Sequence, residues 1–330
     1  MPCHTIVHRQ DWFLEEGYRA RTDREELGFL DRSFELHFNE RPFLNHFSYL
    51  FITRTTKERM RQQSNFSVLC RGHILPREVR DKDGVLRFLE AVEQFERIIR
   101  DSGLVRLERL TTEEITGKGK EAGLVEKYFS LSQEDTTTLE DIRLGGAEMR
   151  VGDKRLSVHT LSEADDLPAA VRTDGRFEKY STDRSDCRLS FAAPVGLMLP
   201  HNHICNLYVF IDDPAETLRN FEKAARNMRS LSRYSRANEI NRQWTEEYLN
   251  EAHSFGLVPV RCHCNVMAWS EDRERLRNIR NDTGSALAQM GCKPRHNTVD
   301  APTLYWAGIP GGEGDFPAEE SFHTFIEQAA

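Results

Sequence analysis

Histidine and cysteine side chains alternate in two apolar stretches of the sequence, with a spacing that suits a metal site. His201, His203 and Cys205 occupy every second position of one predicted strand, and Cys262 and Cys264 do so on another. Residues two apart on a strand share a face, so neighbouring strands could bring these donors together as tetrahedral zinc ligands. Cysteine is also among the residues most often buried in cores, and core packing is the alternative interpretation.

Nucleophilic catalysis has weaker support in the sequence. His263 lies between the two cysteines of its strand, but the alternation of side chains directs it to the opposite face. No serine stands in the G-x-S-x-G pattern of a nucleophile elbow. A cysteine–histidine pair formed by residues distant in the sequence stays open.

Two glycine-rich segments invite comparison with phosphate-binding loops. Residues 308–317 read GIPGGEGDFP, and carboxylates follow where a phosphate loop needs a lysine and a hydroxyl. Residues 116–123, TGKGKEAG, lack the required spacing. Asp212 and Asp213 end an apolar stretch, but Asp213 followed by Pro214 is typical of a helix start rather than of a magnesium site. The sequence therefore predicts turns and no nucleotide ligand.

Arginines recur in the helical stretch between residues 214 and 253. Five of them stand at helical spacing and predict a basic flank, namely Arg219, Arg226, Arg229, Arg233 and Arg236. Such a flank could track the phosphates of single-stranded DNA, contact an acidic protein, or be a solvated surface paired with neighbouring glutamates. The three interpretations remain open.

Composition places the chain among globular proteins. The 330 residues are 38% hydrophobic and 30% charged, with a formal net charge of −8. The negative charge argues against a surface that binds nucleic acid everywhere and limits any polyanion site to a local patch. Seven scattered cysteines without regular spacing indicate free thiols in a reducing compartment.

The predicted elements indicate an α+β fold with a mixed, largely antiparallel sheet, helices on one face and two subdomains, 1–150 and 151–330. Strands are predicted for residues 5–14, 45–55, 104–110 and 258–269, for a pair within 195–212, and for stretches that end at Trp306. Helices are predicted for 24–39, 84–101, 124–131, 214–231, 238–253 and 271–290, and a hairpin turn at Gly152-Asp153.

Several long, irregular segments together resemble one protein family. Residues 41–72, 181–196, 226–238, 260–270 and 293–328 are similar to the N-terminal region of the TraG-type ATPase of conjugative transposons. That family belongs to the type IV secretion ATPases related to TrbE, CagE and TraC. The likeness spans essentially the whole chain.

The resemblance implies a module without catalysis of its own. In the family the phosphate loop follows this region, so the chain resembles a piece truncated before the motor, and we expect neither an enzyme nor bound ATP and magnesium. Trp306, Gly308, Pro310, Gly311, Gly312 and Gly314 would form the junction to that motor. Implied partners are inner-membrane channel proteins, other subunits of the ATPase and single-stranded DNA, at the inner membrane of the bacterial cytoplasm.

Overall fold

The fold is organised around one antiparallel sheet. The computed structural model of the chain describes residues 3–16, 28–39, 43–56, 81–134, 140–144, 148–168, 170–171, 175–178, 181–231 and 234–328. Its strands are β1 (Cys3–Glu16), β2 (Phe43–Thr56), β3 (Ile142–Arg143), β4 (Arg150–Val151), β5 (Lys154–Leu161), β6 (His203–Ile211), β7 (Pro259–Ser270), β8 (Arg295–Asn297) and β9 (Phe322–Phe325). They follow the order β2-β1-β6-β7-β5-β4-β3, and β8 and β9 pair with β5 and β7.

The described helices lie between these strands along the chain. They are α1 (Phe29–Asn39), α2 (Lys82–Ser102), α3 (Thr112–Thr116), α4 (Leu124–Ser130), α5 (Ala193–Gly196), α6 (Pro214–Leu231), α7 (Arg236–Phe255), α8 (Arg273–Gln289) and α9 (Ala301–Ala307). Local signals set their ends: Asp81 caps the start of α2 through the Gly84 N–H, and Gly103 ends it in the left-handed conformation. Within the described residues, no helix is both long and apolar enough to cross a membrane.

Alternating side chains divide the core between the two faces of the sheet. On the first face, Trp12, Tyr208 and Met267 form one cluster with residues of α4 and α9. On the second face, Val266 and its neighbours on β5 to β7 form another cluster with Ala286 of α8. Because each central strand is covered on both sides, both sets of alternating positions in β6 and β7 are largely apolar.

The α+β class and the largely antiparallel sheet predicted from the sequence are confirmed. Where the prediction had helices on one face, the described helices lie against both, because α8 packs on β5 and β7 opposite α4 and α9. The subdomain boundary at residue 150 stays a prediction. Strands from both sides of it belong to the same sheet, since β1 pairs with β6 along nine residues, from Thr5 opposite Ile211 to Phe13 opposite His203.

Most predicted helices and the Gly152 hairpin are present, but three predicted strands are wrong. Residues 104–110 form no strand and instead return along α2, where Arg109 pairs with Glu96. The first half of 195–212 begins with the short helix α5, which Pro194 helps to start. Leu304 to Trp306 lie in helix α9, because Pro302 in its first turn is preset for helical backbone angles.

Candidate functional site

The proposed metal donors lie on neighbouring strands but are not assembled as a ligand set. In the β6–β7 register Cys264 lies opposite Leu207, and Cys262 lies opposite Val209. Cys205 and Cys264 belong to the apolar cluster under α8. Among the residues that the structure describes, no three histidine, cysteine, aspartate or glutamate side chains could hold a metal ion. The geometry therefore gives the zinc hypothesis no support.

The two histidines of that set have other contacts. His201 precedes β6, and its Nε2 lies 2.8 Å from Asp282 Oδ2. His203 donates from Nδ1 to the backbone carbonyl of His201 over 2.7 Å and stacks on Phe13 with ring centroids 4.6 Å apart. Burial lowers the pKa of His203 to about 4, so the imidazole is neutral near pH 7. These contacts fit core packing.

Burial also controls the reactivity of the cysteines on β7. It raises the pKa of Cys262 and of Cys264 to about 12, so both are thiols rather than thiolates at neutral pH. His263 faces away, and its Nδ1 lies 2.6 Å from the Glu320 carbonyl. A thiolate–imidazolium pair on this strand therefore has no geometric basis.

The predicted basic flank is divided between two helices. Arg219, Arg226 and Arg229 lie exposed on α6, Arg236 is the first residue of the antiparallel helix α7, and Arg233 lies outside the described residues. Acceptors from the same pair of helices already engage two of the arginines. Arg229 reaches Glu246 at 3.4 Å, and Arg226 donates to the Glu222 carbonyl at 3.3 Å. The described arginines therefore stand on two packed helices, and the predicted basic flank stays a prediction.

The glycine-rich segment, residues 308–316, is packed into the first face of the sheet. Glu313, Gly314, Asp315 and Phe316 in this segment are buried. A Cβ at Gly308 would lie 2.4 Å from Tyr128 Oη, and one at Gly312 would lie 2.8 Å from the Trp306 carbonyl. Gly311 has φ +83°, which favours glycine. The glycines therefore serve close packing and turn geometry, while the predicted junction role stays a prediction.

Beneath this segment lies a cluster of polar side chains, all buried except the half-buried Thr53, that sequence patterns did not single out. This polar core cluster consists of His8, Gln10, Thr53, Asn206, Asn265 and Glu313. His8 and Glu313 are completely buried, with His8 Nδ1 3.2 Å from Glu313 Oε1. Thr53 Oγ1 donates to Glu313 Oε2 over 2.8 Å, and Asn206 Nδ2 donates to Asn265 Oδ1 over 2.8 Å. The available signal was polar residues at every second position of an apolar strand, such as His8 and Gln10 on β1.

A cleft of about 410 Å³ lies between α6 and the ends of β1, β6 and β7. Asp212 lies inside it, with His4 Nδ1 at 2.5 Å and Arg261 Nε at 2.7 Å. Burial opposes ionisation of Asp212, but hydrogen bonds from His4 and Arg261 outweigh it and hold the pKa below the usual range. Asp212 is therefore a carboxylate engaged on both oxygens, unsuited to act as a general acid or base at neutral pH.

Helix α2 presents a different kind of surface. Its apolar residues recur at three- and four-residue steps, yet none of its residues is buried. Leu86, Leu89 and Ile98 are 57%, 47% and 62% exposed. A helix of this length spans about 30 Å, and a long apolar row at a protein surface is typical of a contact for another protein. The sequence predicted this helix but did not identify it as an interaction site.

Comparison with known proteins adds no relative. The sequence matches no protein-family model, and no curated protein is significantly similar to it.

Proposed function

We propose that the chain is a non-catalytic module of a conjugative-transfer ATPase of the type IV secretion class, which docks the motor to channel proteins of the bacterial inner membrane and to neighbouring subunits. The assignment to conjugative transfer rests on the resemblance of the sequence to that ATPase family. The geometry contributes one observation, the exposed apolar row of α2. In this proposal the module acts at the cytoplasmic side of the membrane, and ATP and magnesium bind only in the motor domain.

The apolar row supports docking because exposed apolar area is the main favourable term in protein association. Burying a leucine or phenylalanine side chain contributes about 1.5–3 kcal/mol. Leu89 and Phe95 lie along the helix beside charged residues that keep it solvated in the free chain, such as Glu96 and Arg100, which pair with each other. An apolar centre with a charged rim is the usual anatomy of a protein interface.

The test is conjugation efficiency in a donor strain that carries the gene. Leu89→Glu with Phe95→Glu should lower transfer frequency at least about 100-fold, since placing two carboxylates in an apolar interface costs several kcal/mol. The same donor without the gene sets the floor. The matched control is Glu90→Ala with Glu93→Ala on the exposed polar side of α2, which should transfer normally.

Two results would refute the proposal. Transfer unaffected by loss of the gene removes the conjugation role altogether. Transfer that depends on the gene but tolerates the Leu89 and Phe95 changes removes the docking role of α2. Circular dichroism of the purified variants separates either outcome from misfolding, since substitutions of exposed residues usually change stability by less than about 0.5 kcal/mol.

Single-stranded DNA is the second candidate partner, favoured by the exposed arginines of α6 and α7. Fluorescence anisotropy of a labelled oligonucleotide at about 50 and 200 mM salt tests it, because phosphate contacts release counterions and weaken steeply with salt. Arg219→Glu with Arg226→Glu should abolish such binding. Arg87→Glu with Arg97→Glu on α2 makes the same change of charge elsewhere, and equal loss in both variants would exclude a site on α6.

A further inference from the structure

The hydrogen bonds of the polar core cluster determine where its protons lie. The indole N–H of Trp12 can only donate, and it lies 2.8 Å from Gln10 Oε1, which fixes the orientation of the Gln10 amide. Gln10 Nε2 therefore donates, to the Gly308 carbonyl at 2.9 Å and to Asn206 Oδ1 at 3.0 Å. Because a backbone carbonyl can only accept, the contact with Gly308 supports the same orientation of the Gln10 amide as the contact with Trp12.

The chain of fixed donors continues to His8. Asn206 Oδ1 is an acceptor, and it also lies 2.9 Å from His8 Nε2. His8 must therefore carry a proton on Nε2, since two acceptors facing each other would repel. The amide nitrogen of Asn206 is consistent with this orientation, because Nδ2 donates to Asn265 Oδ1.

One more proton is required on the other side of the imidazole. His8 Nδ1 lies 3.2 Å from Glu313 Oε1. A neutral imidazole with its proton on Nε2 offers a lone pair at Nδ1, and a carboxylate also offers only lone pairs. A proton must lie between them, either as imidazolium with carboxylate or as neutral imidazole with carboxylic acid. The pair is electrically neutral overall in both forms, as full burial requires.

Glu313 belongs to the glycine-rich segment, while its contacts belong to the sheet. Thr53 of β2 donates to Oε2, and His8 of β1 stacks on Tyr208 of β6 with ring centroids 4.0 Å apart. Gln10 of β1 holds the Gly308 carbonyl of the same segment. The polar core cluster thus joins the segment to three strands.

We propose that the proton shared by His8 and Glu313 is a latch that fastens residues 308–316 to the sheet, and that loss of this proton releases the segment. Loss of the proton would leave a buried carboxylate against an imidazole lone pair, an arrangement that burial strongly disfavours. This inference stands independently of the conjugation proposal.

Among the residues that the structure describes, the titratable groups near the pair supply no replacement charge. Burial raises the pKa of Tyr208 of β6 and of Tyr128 of α4 well above the usual value, and the nearby Glu313 raises both further. Tyr305 of α9 has its pKa raised in the same way. His263 of β7, beyond Tyr208, has a pKa lowered by burial to about 4. All four are neutral between pH 7 and pH 9, where the latch can be tested without their titration.

The first test is ¹⁵N NMR of the imidazole groups in the full chain at pH 7, with His8→Gln identifying the signal. We expect His8 to carry its proton on Nε2, with Nδ1 protonated or hydrogen-bonded. A neutral imidazole with its proton on Nδ1 and a free lone pair on Nε2 would overturn the inference. This NMR measurement uses the unchanged Glu313 and therefore does not require any Glu313 variant to fold.

The second test is hydrogen exchange of the amides of residues 308–316, corrected for the intrinsic exchange rate. In the released segment a solvated histidine and glutamate have both lost the shared proton above about pH 6.5. Because the closed segment holds one proton more than the released one, the equilibrium constant for opening should rise with pH above pH 7. Glu313→Gln keeps a donor for His8 Nδ1 and an acceptor for Thr53 without a titratable proton, so its opening constant should stay flat with pH.

Controls separate the latch from general loosening. Glu319→Gln makes the same chemical change at an exposed position three residues beyond Phe316, and it should keep the pH dependence of the unchanged chain. Glu313→Leu removes both contacts and should raise exchange at least about 100-fold at every pH. Equal pH dependence in the unchanged chain and in Glu313→Gln would refute the latch.

Discussion

The contact between Gly308 and Tyr128 allows a clean steric prediction for Gly308→Ala. Gly308 has φ −79°, a conformation open to every residue, so alanine meets no backbone strain there. Its Cβ would lie 2.4 Å from Tyr128 Oη. Ordinary contact is about a full ångström longer, so one of the two groups must move.

Tyr128 has little room to move. Its side chain is fully buried, its ring centroid is 4.9 Å from that of Tyr305 and 5.9 Å from that of Trp12, and its hydroxyl donates to the Tyr305 carbonyl over 2.8 Å. Overpacking of this kind costs about 1–3 kcal/mol, and weakening the hydrogen bond adds about 1 kcal/mol. Alanine also loses less chain entropy than glycine on folding, which returns somewhat less than 1 kcal/mol. We expect a net loss of about 2–3 kcal/mol in the free energy of unfolding.

A double-mutant cycle measured by urea denaturation identifies the cause. Tyr128→Phe alone should cost about 1 kcal/mol, but it removes the atom that alanine would meet. The Gly308→Ala change made in the Tyr128→Phe background should then cost less than about 1 kcal/mol, a coupling of at least about 1 kcal/mol. The matched control is Gly311→Ala, which has φ +83° and open space around a Cβ, so its cost should be independent of Tyr128. Additive costs for Gly308 and Tyr128 would refute the steric argument.

Three further predictions follow from the buried titratable groups. Burial lowers the pKa of His159, His203 and His263 to about 4, so between about pH 6.5 and pH 4 the unfolded chain binds more protons than the native one. The free energy of unfolding, measured by urea denaturation, should therefore decrease as the pH is lowered through this range, by up to roughly 1.4 kcal/mol per pH unit per histidine and less steeply in His203→Gln, and a flat profile would contradict this. Burial raises the pKa of Cys262 and Cys264 to about 12. Thiol labelling of these residues at pH 8, mapped by mass spectrometry, should therefore be at least about 100-fold slower in the native chain than in guanidinium. Equal rates would place both thiols at the surface. Asp212→Asn should lower the free energy of unfolding by about 2–4 kcal/mol at pH 7, because it leaves the mostly buried Arg261 without its carboxylate. Since the pKa of Asp212 is held low in the native chain, this difference from the unchanged chain should shrink below about pH 4. A difference unchanged at pH 3 would rule out the ion pair as its source.

Periodic patterns with local end signals were predictable from the sequence. Helix α2 follows from apolar residues at helical spacing, the Asp81 cap and Gly103, all of which act within one turn of the chain. The start of α6 followed from Asp213, whose carboxylate accepts the N–H groups of Ala215 and Glu216. The Gly152 hairpin is equally local, since glycine accepts the positive φ that its turn requires.

The errors arose where short apolar runs carry no distinctive period. Leu304 to Trp306 are suitable for a strand by composition, and only the preceding Pro302 favours the helix that forms. Residues 104–110 are apolar enough for a strand but find no partner strand among the described residues. Pairing in a sheet depends on residues distant in the sequence, and no local pattern reports it.

The polar core cluster was hidden for the same reason. His8, Asn206 and Asn265 each look like single polar interruptions of an apolar strand. The register places Asn206 opposite both Gln10 and Asn265, and thereby turns separate interruptions into one hydrogen-bonded group. Buried polar residues at matching positions of strands whose pairing is known would be the signal, but it requires the topology first.

The fate of the backbone N–H groups explains why a segment so rich in glycine is no phosphate cradle. A cradle directs several free N–H groups at one anion. Here Gly308 donates to Leu304, Gly312 donates to the Ile309 carbonyl, and Asp315 donates to the Gly312 carbonyl. The Gly311 N–H points at Glu313 Oε1, 3.4 Å away, so a carboxyl oxygen of the chain itself occupies the place of an anion. Glycine content alone cannot distinguish the two arrangements, because close packing and anion binding both demand a backbone without side chains.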